Sequence, residues 1–439
     1  MKATIYSYSK DSKKIKRQIK DFKDDIDERE NELINIYPEV QYQIFYGFGG
    51  AITQSAGKVI LSAPKRIRDR IMNICFGKKG LNYKIIRAPL DSCDFSDDLY
   101  SSYCEKGLPE IEVDKKYIIP LIKQSYRISE EDLPVMLSPW SPPGFMKTNG
   151  ERKHGGTLKK EHYEAWADYL CRYVLAYRNE GINVTAVSVQ NEPHARQQWE
   201  SCEYSGEEER LFAEEYLRPK LNDYGLDDIE IYLWDHNKER LFERAREVEG
   251  KKDNNYFSGF NFHWYSGDHF DAVRLTHEKY PDKRLIFSEG CIEYSRYNSN
   301  EYNNAEKYAH DIIGNLNAGM DTFIDWNITL NEKGGPNHTE NYCESPIIYD
   351  TVHKIVNLQL SYYYISLFSR YVQPGAKRIA TTCFTSDLEL TAFLNPDGNI
   401  AVTVLNRTSE KKRAFLRIEE KLLELRLEDH SIKTIIIER

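Results

Sequence analysis

From Tyr46 onward, short apolar runs alternate with amphipathic stretches, and they do so eight times. The apolar runs are Tyr46-Gly47-Phe48-Gly49-Gly50, Tyr83 to Pro89, Leu133 to Pro139, Val184 to Asn191, Ile229 to Trp234, Tyr256 to His263, Leu285 to Glu289 and Thr322 to Trp326. Helical periodicity marks Lys65 to Phe76, Asp114 to Tyr126, Glu161 to Glu180, Glu207 to Tyr224, Lys238 to Glu249, Asp271 to Tyr280, Ala305 to Ala318 and Gln359 to Tyr371. Repeated β-then-α order calls for parallel strands with right-handed crossovers, and eight such units close into a (β/α)8 TIM barrel. An open doubly wound sheet is the competing layout, but such sheets hold phosphates at glycine-rich turns, and no Gly-x-Gly-x-x-Gly or P-loop pattern follows any strand. Gly47-Phe48-Gly49-Gly50 comes nearest, and it lacks both the spacing and a helix opening on it.

Both ends of the chain read as β-rich. Residues 1–45 offer a short strand at Thr4 to Tyr8, a charged segment from Lys10 to Glu32 that reads as a solvated face, and alternating apolar positions from Ile34 to Ile44. Beyond Pro374-Gly375, strand patterns fall at Leu388 to Leu394, Ile400 to Leu405, Ala414 to Ile418 and Ile432 to Ile437, with Asn395-Pro396-Asp397-Gly398 as a hairpin turn. That tail is too short for a sandwich of its own. The expectation is a catalytic barrel over 46–372 and a β-sandwich side domain built from 1–45 and 373–439 together. A chain of 439 residues exceeds the ~250–300 at which single cores stop growing, in keeping with two units.

The net charge of −9 excludes a nucleic-acid surface and favours a neutral partner. The first residues lack the apolar core of a secretion signal, and no run approaches the ~18–20 apolar residues that span a bilayer, so a cytoplasmic protein without membrane insertion is expected. The eight cysteines form no Cys-x-x-Cys pair and read as reduced thiols, mostly in the core. The 11 histidines form no tight ligand motif, so neither a metal nor any other cofactor is called for, and His263 reads as a group supporting the site. The oligomeric state is left open.

Barrels of this type carry their active sites at the carboxyl ends of the strands. There the second strand leads to Asp94, the third to Trp140, the fourth to Asn191-Glu192, the sixth to His263-Trp264-Tyr265, the seventh ends in Glu289, and the eighth reaches Trp326, with Asn337 later in its loop. Indoles offer faces for the C–H side of a pyranose, while Asp and Asn bond its hydroxyls. Each residue alone has a packing explanation, Glu192 being an ordinary charge at a helix start and Trp140 and Trp326 caps on the barrel core. Their concentration at the ends of different strands argues for a sugar pocket. Glycoside hydrolysis needs one carboxylic acid to protonate the leaving oxygen and a second carboxylate as nucleophile or base. Chemistry assigns Glu192 as the acid/base and Glu289 as its partner, leaving retention or inversion open.

The ordered segments Gly47-Phe48-Gly49-Gly50-Ala51, Arg87-Ala88-Pro89, Ser92-Cys93-Asp94-Phe95-Ser96, Ser138-Pro139-Trp140-Ser141-Pro142-Pro143, Lys147-Thr148-Asn149-Gly150, Gln190-Asn191-Glu192-Pro193, His263-Trp264-Tyr265, Ser288-Glu289-Gly290-Cys291, Asp325-Trp326-Asn327 and Gly334-Gly335-Pro336-Asn337 resemble glycoside hydrolase family 30, in its acid β-glucosidase or glucosylceramidase branch. The resemblance implies a retaining mechanism with Glu192 as acid/base, Glu289 as nucleophile, and Asp94, Trp140, Asn191, Trp326 and Asn337 as glycone contacts. It places Tyr265 beside the nucleophile, where its hydroxyl helps keep Glu289 ionised while a less solvated Glu192 keeps its proton. Lipid-cleaving members carry an aromatic residue where this chain has His338, a departure on the aglycone side that counts against ceramide as the substrate and leaves the chemistry intact, with sphingolipid metabolism still open.

The resulting expectation is a retaining, exo-acting β-glycosidase releasing a terminal β-glucosyl residue from a glycoside or glucolipid. A β-xylosidase or β-fucosidase with the same machinery is the near alternative, and a non-catalytic carbohydrate-binding barrel the distant one.

Overall fold

The structure is a computed structural model describing residues 1–439 apart from 11, 13, 251, 252, 297–300 and 439, so Asp11 and Lys13 of the charged segment lie outside the described residues. Eight parallel strands close a barrel: β1 (Gly47–Ala51), β2 (Ile85–Leu90), β3 (Val135–Pro139), β4 (Val184–Ser188), β5 (Glu230–Asn237), β6 (Gly259–His263), β7 (Arg284–Glu289) and β8 (Thr322–Asp325). Each pairs in parallel with the next, and β8 returns to β1 through Thr322↔Gly47 to Asp325↔Gly50. The glycines of β1 fit here because there is no room for a side chain. A Cβ on Gly49 would sit 2.3 Å from the carbonyl oxygen of Ile85, and one on Gly50 2.6 Å from Ile328. A helix, Gln54–Ser62, does open three residues after β1, contrary to the sequence reading, with Thr53 capping it by accepting from the Ala56 N–H.

The helix Tyr163–Asn179 buries its aromatic stripe as core, with Trp166 stacked on Tyr169 at 5.4 Å and Tyr173 on Tyr177 at 5.5 Å. The segment read as one helix from Asp114 to Tyr126 is two, Glu112–Tyr117 and Ile119–Ser129, broken at Ile118 ahead of Pro120.

The side domain is one ten-stranded sheet folded over its own apolar core. Its strands run in the order 16–21, 2–9, 431–438, 400–406, 388–394, 376–383, 33–45, 412–418, 421–427 and 23–24. The N-terminal strand 33–45 therefore sits between the C-terminal strands 376–383 and 412–418, and 2–9 pairs with 431–438. The strand Leu33–Phe45 is separated from β1 by Tyr46 alone, so a continuous extended chain joins the two units. Among the described residues no helix is long and apolar enough to cross a membrane.

Past the barrel strands, the short strand Ile292–Glu293 after β7 pairs with Cys343–Glu344 in the long loop after β8. That pairing ties the β8 loop to the segment after β7, and Asn341 of the same loop lines the cavity at the strand ends.

Candidate active site

The strand ends converge on one cavity lined by Asp94, Trp140, Asn191, Glu192, Tyr265, Glu289 and Trp326. Its aromatic wall is a stacked pair, Trp140 and Trp326, with ring centroids 5.3 Å apart, and Phe95 meets Trp326 edge-on at 6.0 Å. His263 lies beneath this cavity, fully buried at the end of β6.

Glu289 is held from two sides. Tyr265 donates its hydroxyl to Oε1 at 3.0 Å, and Arg87 donates to Oε2 at 2.7 Å. Arg87 sits inside β2 with no solvent exposure, and an isolated guanidinium cannot remain there unpaired. Its donors reach Ser138 Oγ (3.0 Å), the Ser288 carbonyl (3.3 Å), Asn191 Oδ1 (2.8 Å) and Asp235 Oδ2 (2.9 Å) as well as Glu289. Burial works against its charge, but Asp235 and Glu289 outweigh burial and raise its pKa. Asp235, within β5, accepts from Ser288 Oγ at 2.6 Å and contacts His263 Nε2 at 3.2 Å. Burial pushes its carboxyl up, and Arg87 and His263 reverse this and hold it low.

The far side of His263 reaches Glu192: Nδ1 lies 3.3 Å from Oε1. His236 Nδ1 stands 3.5 Å from the same oxygen without a well-directed hydrogen bond. Burial raises the Glu192 pKa, yet the two histidines overcome it and bring the carboxyl well below its ordinary range. Burial likewise lowers His263, but Glu289, Asp235 and Glu192 lift it to about 9. The two histidines thus work against the expectation that a poorly solvated Glu192 keeps its own proton. Within this pair the electrostatics favour a proton on the imidazole over one on the carboxyl.

Asp94 is the opposite case: burial, then repulsion from Glu289 and Glu200, raises it well above the carboxylate range. Asn341 donates to its Oδ2 at 3.4 Å and also lines the cavity. Asn337 does not reach the lining. Its Oδ1 accepts from the Thr339 N–H and hydroxyl at 2.9 and 2.7 Å and from the Asn341 N–H at 3.3 Å, so it shapes the loop that presents Asn341. His338 is turned toward Glu200 (3.5 Å) and the Ser96 carbonyl (3.2 Å).

Residues the strand-end reading passed over are Arg87, Asp235, His236 and Asn341, together with Gln197, Trp199, Asn237, Glu293 and Arg296 around the opening. Backbone conformation contributes as well. Asp91, Glu192, Trp234, Asp235 and Asn327 all have φ between +47° and +71°, unusual for residues other than glycine; Trp234 and Asp235 lie within β5 and the other three past the ends of their strands.

Comparison with known proteins agrees with this geometry. Residues 45–372 match the glycosyl hydrolase family 30 TIM-barrel domain, and 375–435 match the glycosyl hydrolase family 30 beta sandwich domain. A Mus musculus protein named lysosomal acid glucosylceramidase is 32% identical over 86% of this chain and 78% of its own. The crystal structure of SrfJ from Salmonella typhimurium superposes with a TM-score of 0.96 at 38% identity, covering 100% of both chains. A solved endo-β1,6-glucanase superposes at 0.89 with 26% identity over 100% of this chain and 99% of its own. Fold, paired glutamates and relatives together define a glycoside hydrolase. Within that class, the chain belongs to glycosyl hydrolase family 30.

Proposed function

We propose that the protein is a retaining, exo-acting β-glycosidase that releases a terminal β-glucosyl residue, with Glu289 as nucleophile and Glu192 as acid/base. The observation carrying this reading is the hydrogen-bonded chain Glu192–His263–Asp235–Arg87–Glu289, which ties both carboxylates into one buried network beside the indole pair. Two cations, Arg87 and His263, face three carboxylates, Glu192, Asp235 and Glu289, leaving one net negative charge. That charge suits the positive character of an oxocarbenium-like transition state.

In this mechanism the Glu289 carboxylate forms a bond to the anomeric carbon as the bond to the leaving oxygen breaks. Glu192 delivers a proton to that oxygen, drawn from the proton it shares with His263. Esterification removes the Glu289 charge, one of the charges that keep His263 protonated. The pair is then poised to accept a proton from the water that hydrolyses the intermediate. Asp94, Asn191 and Asn341 bond sugar hydroxyls, and Trp140 with Trp326 packs on the ring.

The opening favours a polar aglycone, a glucosyl unit linked to another sugar, over ceramide. Gln197, Asn237, Glu293 and Arg296 line it beside the single indole of Trp199, and Arg296 Nε lies 3.0 Å from Glu293 Oε2. A panel of aryl β-D-glycosides differing only in the sugar, with the product anomer followed by NMR, tests the reading. Fastest turnover of the glucoside with β-glucose as first product is expected. Preference for xylose or fucose, or α-glucose as first product, overturns it. Faster cleavage of glucosylceramide than of a β-1,6-linked glucose disaccharide overturns the aglycone assignment.

A further inference from the structure

Three ligand atoms of Glu192, His236 and His263 lie within 4.8 Å of one another, contributed by the loop after β4, by β5 and by the end of β6. Because they come from three neighbouring strands, their sequence spacing shows no ligand motif. Tetrahedral coordination at Zn–N and Zn–O distances of ~2.0–2.1 Å places ligand atoms roughly 3.3–3.4 Å apart. The two edges at Glu192 Oε1 measure 3.3 Å to His263 and 3.5 Å to His236, close to that ideal.

Two independent observations support a ligand here. His236 Nδ1 is a buried nitrogen without a hydrogen-bond partner, on a ring that lines the cavity. His263 meets the Asp235 carboxylate through Nε2 at 3.2 Å, the carboxylate–histidine pairing that orients metal-binding imidazoles, and a cation would displace the proton that Nδ1 shares with Glu192. The remaining edge lies within 4.8 Å, and Glu192 and His236 both line the cavity, from which water could complete the coordination.

We propose that Glu192, His236 and His263 form a reversible binding site for a divalent transition-metal cation of the zinc type, and that the bound cation shuts the glycosidase off. A carboxylate whose oxygen is bonded to a metal cannot donate a proton to a leaving group, and a cation at this position fills the acid side of the cavity. The binding part stands on geometry alone, whereas the shut-off rests on the proposed role of Glu192.

Isothermal titration of the chelator-treated full-length protein with Zn2+, and visible absorption during titration with Co2+, test the site directly. One equivalent is expected to bind, with cobalt d–d bands of a low-coordinate nitrogen and oxygen site. His236→Gln and Glu192→Gln should each weaken binding by at least the ~10–100-fold that loss of even an outer partner costs. Circular dichroism checks that both variants are folded, and His236→Asn replaces His236→Gln if the latter is not.

Absence of saturable binding by the parent overturns the site, and so does binding unchanged in folded variants. Sulfur-to-cobalt charge transfer would assign the cation to cysteines, of which Cys104 and Cys383 are partly exposed, and would also overturn it. Zinc should inhibit hydrolysis of an aryl β-glucoside and a chelator should restore it. Stoichiometric binding without inhibition overturns the shut-off. If the metal-free enzyme cleaves no aryl glycoside at all, the proposed function fails while the calorimetry still decides the site.

Discussion

Replacing Arg87 with methionine is the sharpest test of the buried network. The side chain has no solvent exposure, and it donates at 2.7 Å to Glu289 and 2.9 Å to Asp235, which are themselves almost wholly buried. Methionine fills similar volume, so a cavity contributes little, and the cost lies in leaving two carboxylates without their shared cation. Breaking a buried pair from one side costs ~3–5 kcal/mol. Set against total stabilities of about 5–15 kcal/mol, that is a large fraction. Asp235→Asn in the Arg87→Met background removes one of the abandoned charges and should recover stability, with a coupling of ~1–3 kcal/mol between the two sites. All six tryptophans, Trp140, Trp166, Trp199, Trp234, Trp264 and Trp326, lie in the barrel, so their fluorescence during urea denaturation reports that unit without interference from the side domain. A loss below about 1 kcal/mol, or additive losses in the double variant, would refute the argument that charge compensation holds this network together.

Glu192→Ala should slow cleavage of alkyl and sugar β-glucosides by the ~10²–10⁴-fold that a general acid supplies, while glycosylation by activated aryl glucosides is much less affected; equal losses on both would remove its acid role. Folding raises His263 from 6.5 to about 9, so the stability it contributes is fully present below about pH 6.5 and is lost as pH climbs through 9. His263→Gln should lack that alkaline decline in denaturation midpoint, and parallel curves for parent and variant over this range would count against the imidazolium. The sign for Glu192 is reversed, because its lowered pKa stabilises the fold above the ordinary carboxylate range and the contribution fades on acidification. Asn341→Ala should raise KM for an aryl glucoside by an amount equivalent to ~0.5–1.5 kcal/mol, one neutral hydrogen bond, with little change in stability. Asn337→Ala should instead loosen the loop, read as increased proteolysis after β8, and an intact loop in that variant would contradict its placement.

The barrel was legible because its strands are buried on both faces and read as short apolar runs between helices. The elements that escaped notice obey local rules less clearly. The helix Gln54–Ser62 carries Gly57 mid-helix, which weakens helical propensity, and that glycine is needed because a Cβ would fall 2.3 Å from the Tyr117 carbonyl oxygen. The strand Lys421–Leu427 places Leu422, Leu423, Leu425 and Leu427 at spacings that suit a helix as well as a strand, and only its antiparallel pairing with 412–418 decides. The strand Ala376–Cys383 gives a weak signal because it packs mainly through Ala376 and Ile379, with Lys377 exposed between them. Asn337 and Asn341 are both asparagines in one loop, and the loop's own hydrogen bonds determine which faces the cavity.

The site divides along a different line. Apart from Asn341 in the β8 loop, groups that touch substrate in the proposed mechanism stand at strand ends, where a simple positional rule finds them, whereas Arg87 and Asp235, which orient them, stand within strands. Arg87 lies in the middle of β2 and Asp235 inside β5. An arginine in the run Ile85-Ile86-Arg87-Ala88-Pro89 is itself a signal, since a charged side chain pointing into a barrel must find a carboxylate. What sequence periodicity does not supply is the partner, because Arg87 reaches Asn191 past the end of β4, Asp235 in β5 and Glu289 in β7. The left-handed backbone at Glu192, with φ of +49°, completes the connection. Pro193 disfavours right-handed helical geometry at the preceding residue, and in the conformation adopted the Glu192 N–H donates to the Asp235 carbonyl at 2.9 Å. One residue of β5 therefore anchors the backbone of Glu192 through its carbonyl and, through its carboxylate, both the imidazole beside Glu192 and the guanidinium beside Glu289. Asp235 links the two glutamates at both levels of structure, so its substitution should disturb both halves of the reaction.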